Sequence, residues 1–525
     1  MMKKNLLLIA VLFIVQFVAK GQNFEWSKKM GGTGTDKGYS IVNDYAGNSY
    51  ITGAFNGTVS FGDISLTAVG FADTYIAKLN TFGNFLWAIG VKASAKSIAL
   101  DEEGNCFVTG NFYDTVDFGS TTLTSSNSGT NVFFTKLDVD GNFLWAKSAG
   151  GPTNVISDGL GIATDTEGNC YATGYFGGLV NFGDIALTAT GATSAFFTKL
   201  DADGNFLWAK KAGGPILDTR GFDIATDAAQ NCYVTGYFRN EALFGSTGLS
   251  ATRSGFVTKL NTAGNFVWTK RVGGSTYAEG YGIATDADGN SYVTGYFEGS
   301  ADFGATTLTG SGNQIAYITK LDTQGNFVWA NQMAGYPEGI AIDAQGNCYV
   351  AGDFSGTAMF GSTSLTATSQ ANTFVVKSNP DGEVVWAKRA GKTLEFWEFN
   401  GRISTDGIGN CYVIGHFEGT ADFGSNNLTS SGGVDAFIFK LTEQPVSVQE
   451  ASSENGLLVF PNPTSSFITI QIGEQLRNIS LYNNLGELIQ TETRNSFSIE
   501  HLPSGVYYLS FQSGNDRVVK SVIKQ

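Results

Sequence analysis

Histidine is almost missing from this chain: His416 and His501 are the two in 525 residues. Two imidazoles so placed cannot build a histidine-rich metal site, and a Ser-His-Asp or Cys-His hydrolase would have to run on His416 alone. Basic residues are short too, with 32 Lys and Arg against 47 Asp and Glu and a formal net charge of −15. That balance argues against nucleic acid and anionic membrane surfaces as partners, since both need clustered Lys and Arg. After residue 21 no apolar run is long enough to span a bilayer, and no stretch outside the extreme N-terminus has helical periodicity. Cysteine is present in a form that excludes disulfides. Cys106, Cys170, Cys232, Cys348 and Cys411 share one position of a repeat, and Ser49 and Ser291 fill it elsewhere. Equivalent positions in neighbouring repeats lie beyond the ~7 Å Cα limit for a bridge, and one thiol per repeat cannot converge on a metal. They read as small buried residues of an inner strand.

What is present is a long period. Trp26, Trp87, Trp145, Trp208, Trp268, Trp329 and Trp386 recur at spacings of 61, 58, 63, 60, 61 and 57 residues. Such a period means an array of one supersecondary unit. From Gly161 the unit runs to Gly214 and contains four short strands, roughly 160–165, 169–176, 195–201 and 205–210, rich in aromatic and β-branched residues. Thr-Asp-x-x-Gly-Asn joins the first two and Leu-Asp-x-x-Gly-Asn the last two, both hairpin turns. Between the second and third strands an 18-residue loop is expected, such as 177–194. Four antiparallel strands repeated in this way predict an all-β, seven-bladed β-propeller. The last repeat stops near Leu441 without its fourth strand, and Asn23-Phe24-Glu25-Trp26-Ser27-Lys28-Lys29 matches that strand. The N-terminal strand is therefore expected to close the ring, which protects edges that an open stack would expose.

Residues 1–21 have the form of a signal peptide: Lys3 and Lys4, an apolar run from Leu6 to Val18, then Ala19-Lys20-Gly21. The propeller is expected over 22–442, a polar linker over 443–456 and a small β-sandwich over 457–525. The repeat Gly-x-x-Ile-Ala-x-Asp-x-x-Gly-Asn-x-Tyr-Val-Thr-Gly-x-Phe, as in 281–297, resembles the secreted bacterial β-propeller repeat (SBBP-type) family, which implies fold without a single activity. Pro461-Asn462-Pro463, Asn484-Leu485-Gly486 and Gly505-Val506-Tyr507-Tyr508-Leu509 carry a second resemblance. It is to the type A C-terminal sorting domain of the type IX secretion system. That resemblance implies partners in the secretion machinery and a sortase-like peptidase, cleavage within 443–458, and delivery to the outer surface or surroundings of a Gram-negative bacterium.

Several motifs are misleading. Asp-Phe-Gly at Asp117, Asp302 and Asp422 lacks every other kinase element. Asp-x-Asp-Gly-Asn at Asp138, Asp201 and Asp286 lacks the glycine and glutamate positions of an EF-hand. These are read as hairpin turns, with calcium as the lesser alternative and no other metal or cofactor. The two hairpin turns share one face of the propeller, and the longer connections share the other. Ligands are expected on that long-loop face, where repeats disagree. Candidates there are Glu395, Phe396, Trp397 and Phe399 between the sixth and seventh repeats, together with Tyr277, Arg220 and Arg239. Asp218, Asn240, Glu241, Glu279, Tyr336 and Glu338 also break the repeat. Aromatic residues beside carboxylates suit sugar rings or a protein anchor. No catalytic constellation is legible, so the reading is a binding or adhesion module for a glycan or another surface polymer. Its rivals are a carboxylate-dependent polysaccharide hydrolase or lyase, which needs no histidine, and a structural surface component.

Overall fold

The computed structural model describes residues 20–525 apart from 126–128, 153–155, 275–276, 311–314, 394–402, 407–408, 446–457, 461–463, 465, 472–476, 484–487, 493, 495, 504, 514–515 and 525. The described residues are all-β, and none of their helices is long and apolar enough to cross a membrane. Two compact units appear, Gln22–Glu443 and one containing Gln444–Gln525.

In the larger unit the third repeat is representative. Its strands Ser157–Thr164, Cys170–Phe176, Ser194–Leu200 and Phe206–Gly213 pair antiparallel in that order. The middle two are buried almost throughout, which explains their near-continuous apolar sequence. No repeat has a core of its own. Phe107, Val132 and Phe134 of the second repeat pack with Ile162, Cys170, Phe176 and Phe196 of the third. Each such fully buried phenylalanine contributes about 1.5–3 kcal/mol. The first repeat packs likewise against the last: Ile41, Ile51 and Phe55 share a cluster with Tyr412, Ile414 and Ile438, and with Trp26 and Met30 of the N-terminal strand. That strand, Lys20–Gly32, lies beside Asp435–Pro445 in one sheet with Cys411–Phe417 and Ile403–Thr405.

The recurrent tryptophan joins neighbours. Trp145 Nε1 donates to the Ala202 carbonyl of the next repeat at 2.9 Å, and Trp26 Nε1 donates to Thr81 at 2.9 Å in the same way. The turn glycine beneath the indole has a double constraint. Gly204 has φ +81°, and a Cβ there would come within 2.8 Å of the Trp145 ring.

The expected 18-residue loop is in fact a second hairpin. Leu179–Phe182 pairs with Ile185–Thr188, so this repeat has six strands rather than four, while in the fourth repeat the hairpin runs on from the inner strands Cys232–Phe244 and Thr247–Leu260. Phe182 is fully buried, and its strand extends the outermost strand of the preceding repeat through Ala149↔Phe182. Four-residue strands are too short to stand out by alternation, and the Phe-Gly marker is their turn. The Asp-Phe-Gly aspartate belongs here as well: Asp117 accepts a hydrogen bond from the Thr122 hydroxyl across the hairpin at 2.6 Å.

The smaller unit has a three-stranded sheet of Leu458–Phe460, Phe467–Gln471 and Ser496–Ser498. A four-stranded sheet of Leu488–Glu492, Arg477–Tyr482, Gly505–Ser513 and Asp516–Lys524 completes it. Ile468, Ile470 and Phe497 from the first meet Ile479, Leu481, Leu509 and Val522 from the second in one core.

Candidate functional site at the end of the central cavity

A cavity of about 390 Å³ is lined by the first strands of all the repeats, from Ser40–Asn43 in the first to Ile403–Thr405 in the last. Its wall is small and aliphatic, as with Ile162, Ala163 and Thr164. The first strands of the first six repeats each enter this wall through a β-bulge. In the third repeat Asp158 pairs with Tyr175, Gly159 with Gly174 and Gly161 with Thr173, so Leu160 is the extra residue. The fit depends on Gly174, where a Cβ would lie 1.9 Å from the Asp158 carbonyl oxygen. The same irregularity makes Tyr39, Lys96, Phe222, Tyr281 and Glu338 the extra residues of the first, second, fourth, fifth and sixth repeats. Bulges re-aim side chains beside functional sites. Here they sit where the connections between repeats arrive, and the residue at the bulge varies among Tyr, Lys, Leu, Phe and Glu.

Neighbouring bulge residues touch. Phe222 and Tyr281 stack at 5.2 Å with 21° between planes. Tyr237 meets Phe222 at 5.3 Å, Tyr281 meets Tyr296 at 5.0 Å, and Tyr296 meets Tyr336 at 5.7 Å. This gives an unbroken path of rings across the fourth to sixth repeats. On the opposite arc, Lys96 lies over the Tyr39 ring at 5.3 Å.

Two arginines stand on this aromatic floor. Arg220 lies 4.2 Å from the centre of the Tyr175 ring. Arg253 lies 4.3 Å from Tyr237 and 5.0 Å from Tyr277, and it pairs with the buried Glu279. Tyr281 also donates its hydroxyl hydrogen to Glu279, and burial together with that carboxylate pushes the Tyr281 hydroxyl far up. Asp218 receives Arg239 at 3.3 Å, Arg220 at 3.9 Å and the Tyr237 hydroxyl. Burial works against its ionisation, but these partners outweigh it and hold the carboxyl below its usual range. Asp158 behaves oppositely: burial pushes it up to about 6, against the pull of Lys96, Asn111 and Arg220. His416, at the position equivalent to Tyr175, is buried, and burial with nearby Lys37 pushes it down to about 3. It is therefore a neutral imidazole at ordinary pH.

Of the residues singled out in the sequence, Arg220, Arg239, Tyr277, Asp218, Glu279 and Tyr336 enter this one cluster, and Glu338 is the bulge residue of the sixth repeat. Glu395, Phe396, Trp397 and Phe399 lie outside the described residues, as do Pro461, Asn462, Pro463 and Gly486. Gly505 opens its strand, and Tyr507 is buried with its hydroxyl donating to the Pro503 carbonyl at 3.0 Å. Sequence reasoning missed Tyr39, Lys96, Asp158, Tyr175, Phe222, Tyr237, Arg253, Tyr281 and Tyr296. For all of these but Asp158 and Arg253 the signal was available in the column at the first-strand bulge and in the column before the second-strand Phe, where the repeats disagree inside strands rather than in loops.

The Asp-x-Asp-Gly-Asn turns are hairpin turns: in the second repeat Asn142 N donates to Asp138 Oδ1 at 2.8 Å. No group of acidic, cysteine or histidine side chains among the described residues is arranged to hold a metal ion.

Residues 458–525 match the model of a secretion system C-terminal sorting domain, and 267–296 match the model of a beta-propeller repeat. An uncharacterized WD repeat-containing protein of Acanthamoeba polyphaga mimivirus is 24% identical over 471 residues, covering 69% of this chain and 34% of that protein. The chain thus spans about a third of that relative's length. Among solved structures, a protein of unknown function from Bacteroides caccae is similar at 12% identity and TM-score 0.31, over 60% of this chain and 89% of that one. A gluconolactonase from Xanthomonas campestris is similar at 11% identity and TM-score 0.29, over 67% and 90%.

Proposed function

We propose, for a chain that carries beta-propeller repeats and a secretion system sorting domain, that it is a displayed or released binding module. The sorting domain directs it by type IX secretion to the cell surface or outside the cell. In this reading residues 1–21 are a leader, 22–442 a closed seven-bladed propeller, 443–456 a linker and 457–525 a β-sandwich that the secretion machinery recognises. Closure by the N-terminal strand is supported by Trp26, which reaches the first repeat as Trp145 of the second reaches the third. The ligand is a glycan or another surface polymer, and it lies over the end of the central cavity.

The observation that carries this reading is the aromatic path Tyr237–Phe222–Tyr281–Tyr296–Tyr336 with Arg220 and Arg253 beside it. Phe222, Tyr237 and Tyr296 are buried, so the half-buried Tyr281 and Tyr336 are the rings that take the apolar faces of pyranoses, and the planar guanidinium takes hydroxyl or acid oxygens. A polysaccharide and host-glycan array probed with the secreted protein tests it. Saturable binding that Tyr281→Ala and Arg253→Ala each weaken about tenfold or more is expected. Binding that survives both substitutions would move the site elsewhere, with Trp397→Ala the next variant. No binding to any glycan would favour protein adhesion or a structural surface role.

One observation favours a second reading, a carboxylate-dependent hydrolase or lyase. Asp158, held at about 6 by burial, has the proton affinity that a general acid needs. Release of new reducing ends from a bound polysaccharide, lost on Asp158→Asn, would establish it.

A further inference from the structure

We propose that the cluster of Asp158, Lys96 and Arg220 is a subsite for the acid group of an anionic sugar, and that the ligand's anion is admitted together with a proton on Asp158. The inference rests on the glycan reading above and names the class of sugar. Asp158 stands at the entrance to the third repeat and is buried to 8% exposure. Its Oδ1 has no hydrogen-bond partner. In the next repeat Arg220 covers Tyr175, the residue that pairs with Asp158. The Arg220 Nε is buried and also without a hydrogen-bond partner, because Asp218 lies 3.9 Å away. A buried acceptor and a buried cationic donor are thus both left unfilled at one mouth, where such vacancies are costly. A neutral sugar hydroxyl, which both donates and accepts, fills both while Asp158 is ionised, so the two ligand classes differ in the proton state they require. An acid group that accepts from Arg220 and from a protonated Asp158 meets both.

The charge arrangement dictates the coupling. The groups that act on Asp158 are Lys96 and Asn111 of the second repeat, Tyr175 of its own repeat and Arg220 of the fourth. While Asp158 is ionised it occupies the field of Lys96 and Arg220 and repels a second anion. Protonated, it no longer offsets the charge of Lys96, leaves Arg220 to Asp218 alone, and presents an O–H donor to the ligand. Binding therefore takes up one proton per site, and affinity must fall as pH rises through the range where Asp158 ionises.

Calorimetric titration of the secreted protein tests this with three probes: an oligogalacturonide, a sulfated oligosaccharide and a neutral cello-oligosaccharide. Each is titrated at about pH 5 and about pH 7.5, either side of the value of about 6 for Asp158. One or both acidic probes are expected to bind about tenfold or more tighter at the lower pH, with a proton taken up when buffers of different ionisation heat are compared. Which acidic probe binds identifies carboxylate or sulfate. Asp158→Asn should bring affinity at the higher pH up to that at the lower and abolish the proton uptake. Arg220→Ala should lose the acidic probe at both. Equal binding of the neutral probe, or an acidic probe that binds without pH dependence or proton uptake in the unaltered protein, would overturn the proposal while leaving the glycan reading intact. Failure of all three probes at the lower pH would overturn it too, and the array would then decide the broader reading separately.

Discussion

The two ends of the repeats use the same residue type in opposite ways. On the end with the short turns, the aspartate after the first strand is wrapped in donors. Asp165 receives the Asn169 amide at 3.0 Å, the Tyr171 hydroxyl at 3.0 Å and Lys199 at 3.1 Å. Asp227, with Asn231, Tyr233 and Lys259, repeats the arrangement. Burial resists ionisation in these turns, but the donors outweigh it, so Asp138, Asp165, Asp201, Asp227, Asp286 and Asp322 all sit below the usual carboxyl range. On the end where the repeats connect, burial wins at Asp158 and at Asp36, and both rise to about 6. The first end is the more regular, with its turn aspartates satisfied although the buried Tyr50 hydroxyl has no partner, and it stabilises the stack. The second is varied and carries unfilled polar atoms, the condition in which a surface still has something to bind.

The sharpest way to break this comparison is on the more regular end. Asp165→Ala leaves Lys199 buried without its carboxylate and frees the turn donors, and removing one partner of a buried pair costs about 3–5 kcal/mol. Chemical denaturation should show a loss of that size, with glycan affinity unchanged. A variant of unaltered stability would mean that the donors are not what holds the turn.

A smaller effect is expected at the seam between the N-terminal strand and the last repeat. Asp36 is fully buried there, raised first by burial and also by neighbouring Asp435, and it accepts from the Gly32 amide at 2.7 Å. Because its folded value exceeds its unfolded one, its contribution to stability is complete below about pH 4 and is lost as pH rises through about 6. Asp36→Asn keeps the acceptor and removes the charge. Its stability should exceed that of the unaltered protein by on the order of 2 kcal/mol at neutral pH and converge with it at acid pH. Denaturation profiles that stay parallel across this range would refute the assignment.

The smallest effect concerns the cysteines. Cys170 and Cys232 are buried, and their thiols are pushed up to about 12, chiefly by burial. An alkylating reagent should leave all five cysteines unmodified in the folded protein and label them at the rate of unfolding. Rapid labelling of any one would show that its repeat opens locally.

Much of the fold was legible because a repeat states its rules seven times. The tryptophan period, the Asp-x-x-Gly-Asn turns and the match of Phe24-Glu25-Trp26 to the other outer strands could be read without coordinates. The extra hairpins were not, since strands of four residues such as Leu179–Phe182 carry too little alternation, and their partner is the preceding repeat. Of the site, Arg220, Arg239, Tyr277, Asp218, Glu279 and Tyr336 stood out as departures from the repeat, all but Arg239 at or beside the ends of strands. Tyr281, Phe222 and Asp158 did not, because they lie inside strands that otherwise look ordinary.

The sequence by itself determined the strand content, the period, the turn chemistry and the export tail, all of which depend on residues close together in the chain. Only tertiary structure decided that Phe222 stacks on Tyr281, that Arg220 covers Tyr175, and that Asp158 keeps its proton to about 6. Those properties arise between repeats about 60 residues apart in the sequence, where the packing of neighbouring sheets sets both the contacts and the burial.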